Sequence, residues 1–229
     1  MLEIQDVEKT YTYATGVKKI SFFCRTGEVV ALIGPNGVGK STILRIIAGI
    51  QKADAGKVML NGVDTSIFNT RKKIGYMTEK INVGKKINAK ELLYLISDYK
   101  FNGQYKDYIN QAIEDYGLYK QCSKQFCDLS MGNKKKVSII IAFMGKPELI
   151  ILDEPTNGMD TAGMICMKRY IMKAKKDGAS IIISSHILDF VDSIADKKVF
   201  LKNGRIEKII EGREDLEQIY TELYLEEMG

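Results

Sequence analysis

Three short stretches carry side chains arranged for chemistry. Gly34-Pro35-Asn36-Gly37-Val38-Gly39-Lys40-Ser41-Thr42 fits the spacing G-x-x-x-x-G-K-[ST], directly after an apolar run and ahead of a helical pattern. Glycines let backbone N–H groups turn inward around phosphate oxygens, and a helix N-terminus adds favourable partial charge. In such a loop Lys40 reaches the β- and γ-phosphates of a nucleotide, and the Ser41 hydroxyl can ligate Mg²⁺. The second stretch is Leu149-Ile150-Ile151-Leu152, which runs into Asp153-Glu154-Pro155. A buried strand ending in two carboxylates sets both at the carboxyl edge of a sheet, where α/β proteins bind ligands. There Asp153 would hold Mg²⁺ through water, and Glu154 would orient and deprotonate the water that attacks the γ-phosphate. The third is the sole histidine, His186, just past Ile181-Ile182-Ile183-Ser184-Ser185. A lone histidine is more often structural, but placement at the same sheet edge suits it to bond the γ-phosphate and the attacking water. Leu129-Ser130-Met131-Gly132-Asn133 opens a further helix; Ser-x-Gly there is an anion-binding N-terminus or an ordinary N-cap.

These groups need elements that bring them to one edge. Val29–Ile33, Leu149–Leu152 and Ser180–Ser184 are short apolar runs that read as fully buried parallel strands, each followed by a helical pattern, starting near Lys40, Thr161 and Ile187. The alternation predicts an α/β fold with a mostly parallel sheet. Leu2-Glu3-Ile4, Ile20–Phe23, Lys57–Leu60 and Lys197–Leu201 alternate as antiparallel strands do, the last two ahead of Asn61-Gly62 and Asn203-Gly204 hairpin turns. Between residues 87 and 128 the spacing is helical, over Glu91–Tyr99 and Tyr105–Tyr116, which predicts a helical insert.

Composition narrows the class. The 229 residues are 45% hydrophobic and 28% charged, with 3 Pro, which excludes a disordered or collagen-like chain. Stretches such as Val137–Gly145 fall well short of the ~20 apolar residues of a membrane helix, and the acidic start MLEIQDVEKT does not read as a secretory signal. Cys24, Cys122, Cys127 and Cys166 show no C-x-x-C spacing, so reduced thiols of a cytoplasmic protein are expected, and with one histidine no zinc site. The net charge of +5 is uneven: residues 207–229 hold eight acidic and two basic side chains, a net of −6, leaving +11 on the rest. The lysines, among them Lys134-Lys135-Lys136, come in runs without interleaved stacking aromatics, which favours a solvated surface over nucleic acid.

The ordered set of phosphate loop, Leu129–Asn133, Asp153-Glu154-Pro155, Asn157-Gly158-Met159-Asp160 and Ser184-Ser185-His186 resembles the ATP-binding cassette (ABC) ATPase family over nearly the whole chain. The resemblance implies a P-loop ATPase core of mostly parallel sheet with an N-terminal antiparallel β subdomain and an inserted helical subdomain at about 80–130. It makes residues 1–229 one ABC ATPase domain, ending in an acidic helix at about 213–229. It also implies a head-to-tail dimer of identical or different ATPase subunits, with two ATP molecules at the interface. Ser130 and Gly132 would then bind the γ-phosphate held by the partner subunit, and Asp160 would connect the two sites. Tyr11 lies where the family places an aromatic against adenine, with Tyr13 as a substitute and a core tyrosine as the plainer alternative.

The signature reads LSMGN where the family usually has LSGGQ, so Met131 replaces the first glycine. Glu79 stands for the usual glutamine, a Mg²⁺ ligand and sensor. Both substitutions, and the tail Asp215–Leu223, resemble a branch of drug, antibiotic and bacteriocin-immunity exporters. The function implied is hydrolysis of ATP with Mg²⁺ to power export through an integral membrane subunit on a separate chain, with the protein peripheral on the inner face of the cell membrane. The alternative is a soluble ABC ATPase of the iron–sulfur assembly or translation type.

Overall fold

The computed structural model describes residues 1–12, 15–78, 83 and 86–225. In chain order they form β1 (Leu2–Thr12), β2 (Thr15–Cys24), β3 (Val29–Ile33), α1 (Lys40–Ile47), β4 (Ala55–Leu60), β5 (Val63–Asp64), α2 (Phe68–Arg71) and β6 (Ile74–Met77). Then come α3 (Ala89–Phe101), α4 (Lys106–Asp115), a 3₁₀ turn at Phe126–Asp128 and α5 (Met131–Phe143). The chain ends with β7 (Leu149–Asp153), α6 (Thr161–Lys176), β8 (Ser180–Ser184), α7 (Leu188–Asp192), β9 (Lys197–Lys202), β10 (Arg205–Glu211) and α8 (Leu216–Tyr224).

The three apolar runs sit in the middle of a sheet ordered β10-β9-β3-β8-β7-β6, parallel except for the β10 edge. Every residue of β3, β7 and β8 is buried, because both faces of the sheet are covered. Strand alternation divides them between two cores. Val29, Ala31, Ile33, Ile150, Leu152, Ile181 and Ile183 face the side packed by α3 to α8. Val30, Leu32, Leu149, Ile151 and Ile182 face α1 and the antiparallel sheet β2-β1-β4-β5. Each such Val, Ile or Leu side chain, fully buried, contributes about 1.5–3 kcal/mol relative to exposure. The helical insert is no separate core: Leu92, Leu93, Ile109 and Ile113 share one cluster with the sheet.

Both Asn-Gly hairpins form, with positive φ at both turn residues (Asn61 50°, Gly62 78°; Asn203 50°, Gly204 73°). That is the left-handed pair a tight hairpin requires. Two expectations need correction. β9 does not alternate: Lys197 to Leu201 are all buried, since the strand pairs parallel with β3 as well as antiparallel with β10. Its lysines tolerate burial through partners. Lys197 reaches Glu28 and Glu211 at 3.4 and 3.2 Å, and Lys198 donates to the Gly212 carbonyl at 2.6 Å. Likewise the run Lys134-Lys135-Lys136 is not a solvated face, for Lys135 and Lys136 are buried on α5. The strand β6 and the short α2 had no clear period in the sequence and are supplied by tertiary packing.

Candidate active site

β3 delivers Gly34–Gly39 to the carboxyl edge of the sheet, and α1 starts at Lys40. The N-cap, Gly39, has a left-handed backbone and offers no side-chain cap. The first-turn amides of α1 therefore have neither an intrahelical acceptor nor a cap. By contrast α3, α5, α6 and α8 are capped by Asn88, Ser130, Asp160 and Asp215. The buried Lys40 ammonium donates to the Gly34 carbonyl at 2.6 Å and the Pro35 carbonyl at 3.2 Å, which holds it in the mouth of its own loop.

β7 and β8 bring the remaining chemistry to the same edge. Asp153 Oδ1 accepts from Ser41 Oγ at 3.1 Å and from Ser184 Oγ at 2.8 Å. Glu154 has φ 44°, a left-handed conformation uncommon outside glycine. Its N–H donates to Ser184 Oγ at 2.8 Å, and Lys135 Nζ donates to its carbonyl at 2.6 Å. The carboxylate is thereby turned between two partners: Oε2 is 2.9 Å from His186 Nδ1, and Oε1 is 3.4 Å from Lys40 Nζ. Among the described residues Oε1 is buried and makes no hydrogen bond, its Lys40 contact being an ion pair. A buried acceptor in that state has capacity for a further hydrogen-bond donor.

The sequence-derived residues thus divide. Gly34 to Thr42, Asp153, Glu154 and His186 meet at one place, linked by the distances above. Tyr11 is half exposed at the flank, its hydroxyl 3.3 Å from Thr42 Oγ1 and accepting from Gln51 at 2.5 Å. Burial pushes its phenol up, but the bonds with Thr42 and Gln51 and the charges of Arg45 and Lys9 together hold it below the usual value. Ser130 caps α5, accepting from the Asn133 N–H at 3.4 Å. Asp160 caps α6 through the Gly163 N–H at 2.8 Å and pairs with Lys136 at 2.9 Å, which holds its carboxyl below the usual range. Gly132 packs against the Gly158 carbonyl. Ser130 and Gly132 make no hydrogen bond or ion pair with the phosphate loop. Glu79 and Tyr13 lie outside the described residues. Sequence reading gave no role to Ser184, Gln51 or Lys135. Ser184 had a signal, standing inside the Ser184-Ser185-His186 motif; Gln51 and Lys135 had none beyond their polarity.

The sequence profile of the ABC transporter family matches residues 17–157. The chain belongs to that family. It is 34% identical over 223 residues to the lantibiotic transport ATP-binding protein SrtF of Streptococcus pyogenes, covering 96% of both chains. It is 32% identical to the bacitracin transport ATP-binding protein BcrA of Enterococcus faecalis, covering 90% of this chain and 68% of that one. The fold superimposes on a solved ATP-binding subunit of an ABC transporter with a TM-score of 0.88 at 28% identity, over 97% of this chain and 99% of that one. The protein is an ATP-binding, ATP-hydrolysing cassette, and no described helix is long and apolar enough to cross a membrane.

Proposed function

We propose that the phosphate loop holds ATP through the uncapped amides of α1 and the Lys40 ammonium, and that Glu154, steered by His186, activates the attacking water. The observation that carries this is the buried Glu154 Oε1, ion-paired with Lys40 at 3.4 Å and without a hydrogen bond among the described residues. A carboxylate oriented toward a phosphate-binding cation, with one oxygen left for a water, is the arrangement that in-line attack needs. Contact at Nδ1 leaves His186 Nε2 as the ring nitrogen for the γ-phosphate. Tyr11 is suited to stack on the base, beside Thr42.

Mg²⁺ fits the donors present. Ser41 Oγ and the Asp153 carboxylate offer hard oxygens 3.1 Å apart. Among the described residues no group of three or more carboxylate, histidine or cysteine side chains could hold a metal. That suits an ion bound by few protein ligands together with substrate phosphates. When bound, the ion would neutralise charge that develops on the phosphates. The assignment of Glu79 as a further ligand rests on the family resemblance alone.

The cargo would be a drug, antibiotic or peptide, in line with the transport named for the two relatives. It would pass through a membrane subunit on another chain, with this protein held at the inner face of the membrane. An exposed apolar cleft supports that docking. Phe68, Leu95, Ile96, Tyr99 and Phe101 line an open cleft of about 790 Å³ between α2 and α3, with Arg71, Lys72 and Lys100 at its rim. Phe68 and Tyr99 are 64% and 88% exposed, which for aromatics of that size marks an interaction surface. The reading of a soluble assembly or translation factor has no observation in its favour. Two measurements test the proposal. Glu154→Gln should slow hydrolysis by roughly 10²–10⁴ while ATP still binds; wild-type turnover would remove Glu154 from its role. Co-expression with a candidate membrane subunit should bring the protein to the membrane fraction, and Phe68→Glu with Tyr99→Glu should release it without altering ATP binding.

A further inference from the structure

Lys135 is an unusual residue for its place. It lies on α5, one turn past Ser130, and only 4% of it is exposed. Burying an ammonium costs several kcal/mol unless the group is satisfied, so a lysine kept in this position has an electrostatic task. Its Nζ donates at 2.6 Å to the carbonyl of Glu154, a residue held at φ 44°. A non-glycine residue in that region persists only where its surroundings over-determine it. Here the two sides of the residue are fixed separately: Ser184 Oγ on β8 takes the Glu154 N–H, and Lys135 on α5 takes its carbonyl. The side chain leaves this pinned backbone toward His186 and Lys40.

We propose that Lys135 is a positioning residue, which holds the Glu154 backbone in its left-handed conformation so that the carboxylate faces Lys40 and His186. Because α5 is also the helix that Ser130 caps, a displacement of that N-terminus reaches Glu154 through one lysine side chain. The neighbouring Lys136 ties the same helix to Asp160. The inference rests on the reading of Glu154 as the water-activating carboxylate.

The chain has one histidine, so the Cε1 proton of His186 gives a single, assigned imidazole resonance that reports its contact with Glu154. Lys135→Met keeps the apolar stem and removes the ammonium. In the full-length protein that resonance should move toward its position in Glu154→Ala. The kcat for ATP should fall about 10- to 100-fold, the loss expected when a catalytic group is misplaced by about an ångström. KM for ATP should stay within about twofold, and Lys135→Arg, which retains a donor, should recover most of both signals. If Lys135→Met is insoluble, Lys135→Leu carries the same test with a shorter side chain that likewise has no donor. A resonance and kcat unchanged from wild type overturn the inference, as does a loss that Lys135→Arg fails to recover. Failure of the underlying reading looks different, for then Glu154→Gln itself turns over ATP at the wild-type rate.

Discussion

The N-termini of α1 and α5 both carry motifs that the sequence assigns to anion binding, yet they are finished differently. At α1 the cap is Gly39, the first-turn amides have no cap, and Lys40 stands in the mouth of the loop with Asp153, Glu154 and His186 around it. At α5 the cap is Ser130, bonded to its own helix at 3.4 Å, and Met131 is 67% exposed. Among the described residues, none of Lys40, Asp153, Glu154 and His186 is bonded to Ser130. On the reading proposed above, one end is a whole binding site and the other is half of one. A helix N-terminus attracts anions through backbone amides and dipole alone, but chemistry needs acids, bases and metal ligands converging from other elements. On that reading the second end gains those from another subunit that presents its own loop. This is the physical content of the head-to-tail dimer that the family resemblance implies.

The largest test of that contrast pairs Lys40→Ala with Ser130→Arg. Loss of the ammonium should weaken ATP binding by about 3 kcal/mol, or roughly 100-fold. Ser130→Arg should leave binding to the isolated chain within about twofold. With Glu154→Gln to trap ATP, it should abolish the dimer that sedimentation detects in its absence. Equal effects on nucleotide affinity would mean that both ends serve one site within a single chain.

Gly132→Ala comes next. A Cβ there would lie 2.5 Å from the Gly158 carbonyl oxygen, a backbone atom that cannot swing aside. The helix end must shift, at about 1–3 kcal/mol. ATP-dependent dimerisation should weaken by about tenfold or more, while ATP binding stays constant by calorimetry. Gly37→Ala is the control at the other loop. Nothing lies within 4 Å of its Cβ, so the cost is the strain of φ 83° alone, about 1 kcal/mol.

Smaller still is Ser130→Ala, which removes the cap at a cost of about 1 kcal/mol in chemical denaturation. A capping role alone predicts that loss with the trapped dimer intact; a role across the interface predicts that the dimer weakens too. The smallest effect concerns pH. Asp160 is held below the usual carboxyl range by Lys136, so its contribution to stability is present above the unfolded carboxyl value of about 3.9. It is lost as pH falls through the lowered folded value. The carboxyl is 62% exposed, and solvent screening keeps the contribution to a few tenths of a kcal/mol. Acid unfolding of Asp160→Asn should show that small contribution missing, with neutral-pH ATP binding unaffected.

Local sequence determined a good deal here. Glycine spacing and the flanking apolar run fixed the phosphate loop, because few backbones besides a strand–loop–helix turn can use those glycines. Short apolar runs fixed β3, β7 and β8, because only a strand covered on both faces buries every residue. Asn-Gly fixed two hairpins, since positive φ at both positions is a local demand. Tertiary structure decided what depends on distant partners. It buried Lys135, Lys136, Lys197 and Lys198, whose charge alone reads as surface, because carbonyls and carboxylates from other elements satisfy them. It also formed β6 from four residues with no period of their own, against β7. Finally it turned Glu154 into a left-handed backbone between Ser184 and Lys135, since hydrogen bonds from two other elements, 30 and 19 residues away, hold what no local preference of glutamate supplies.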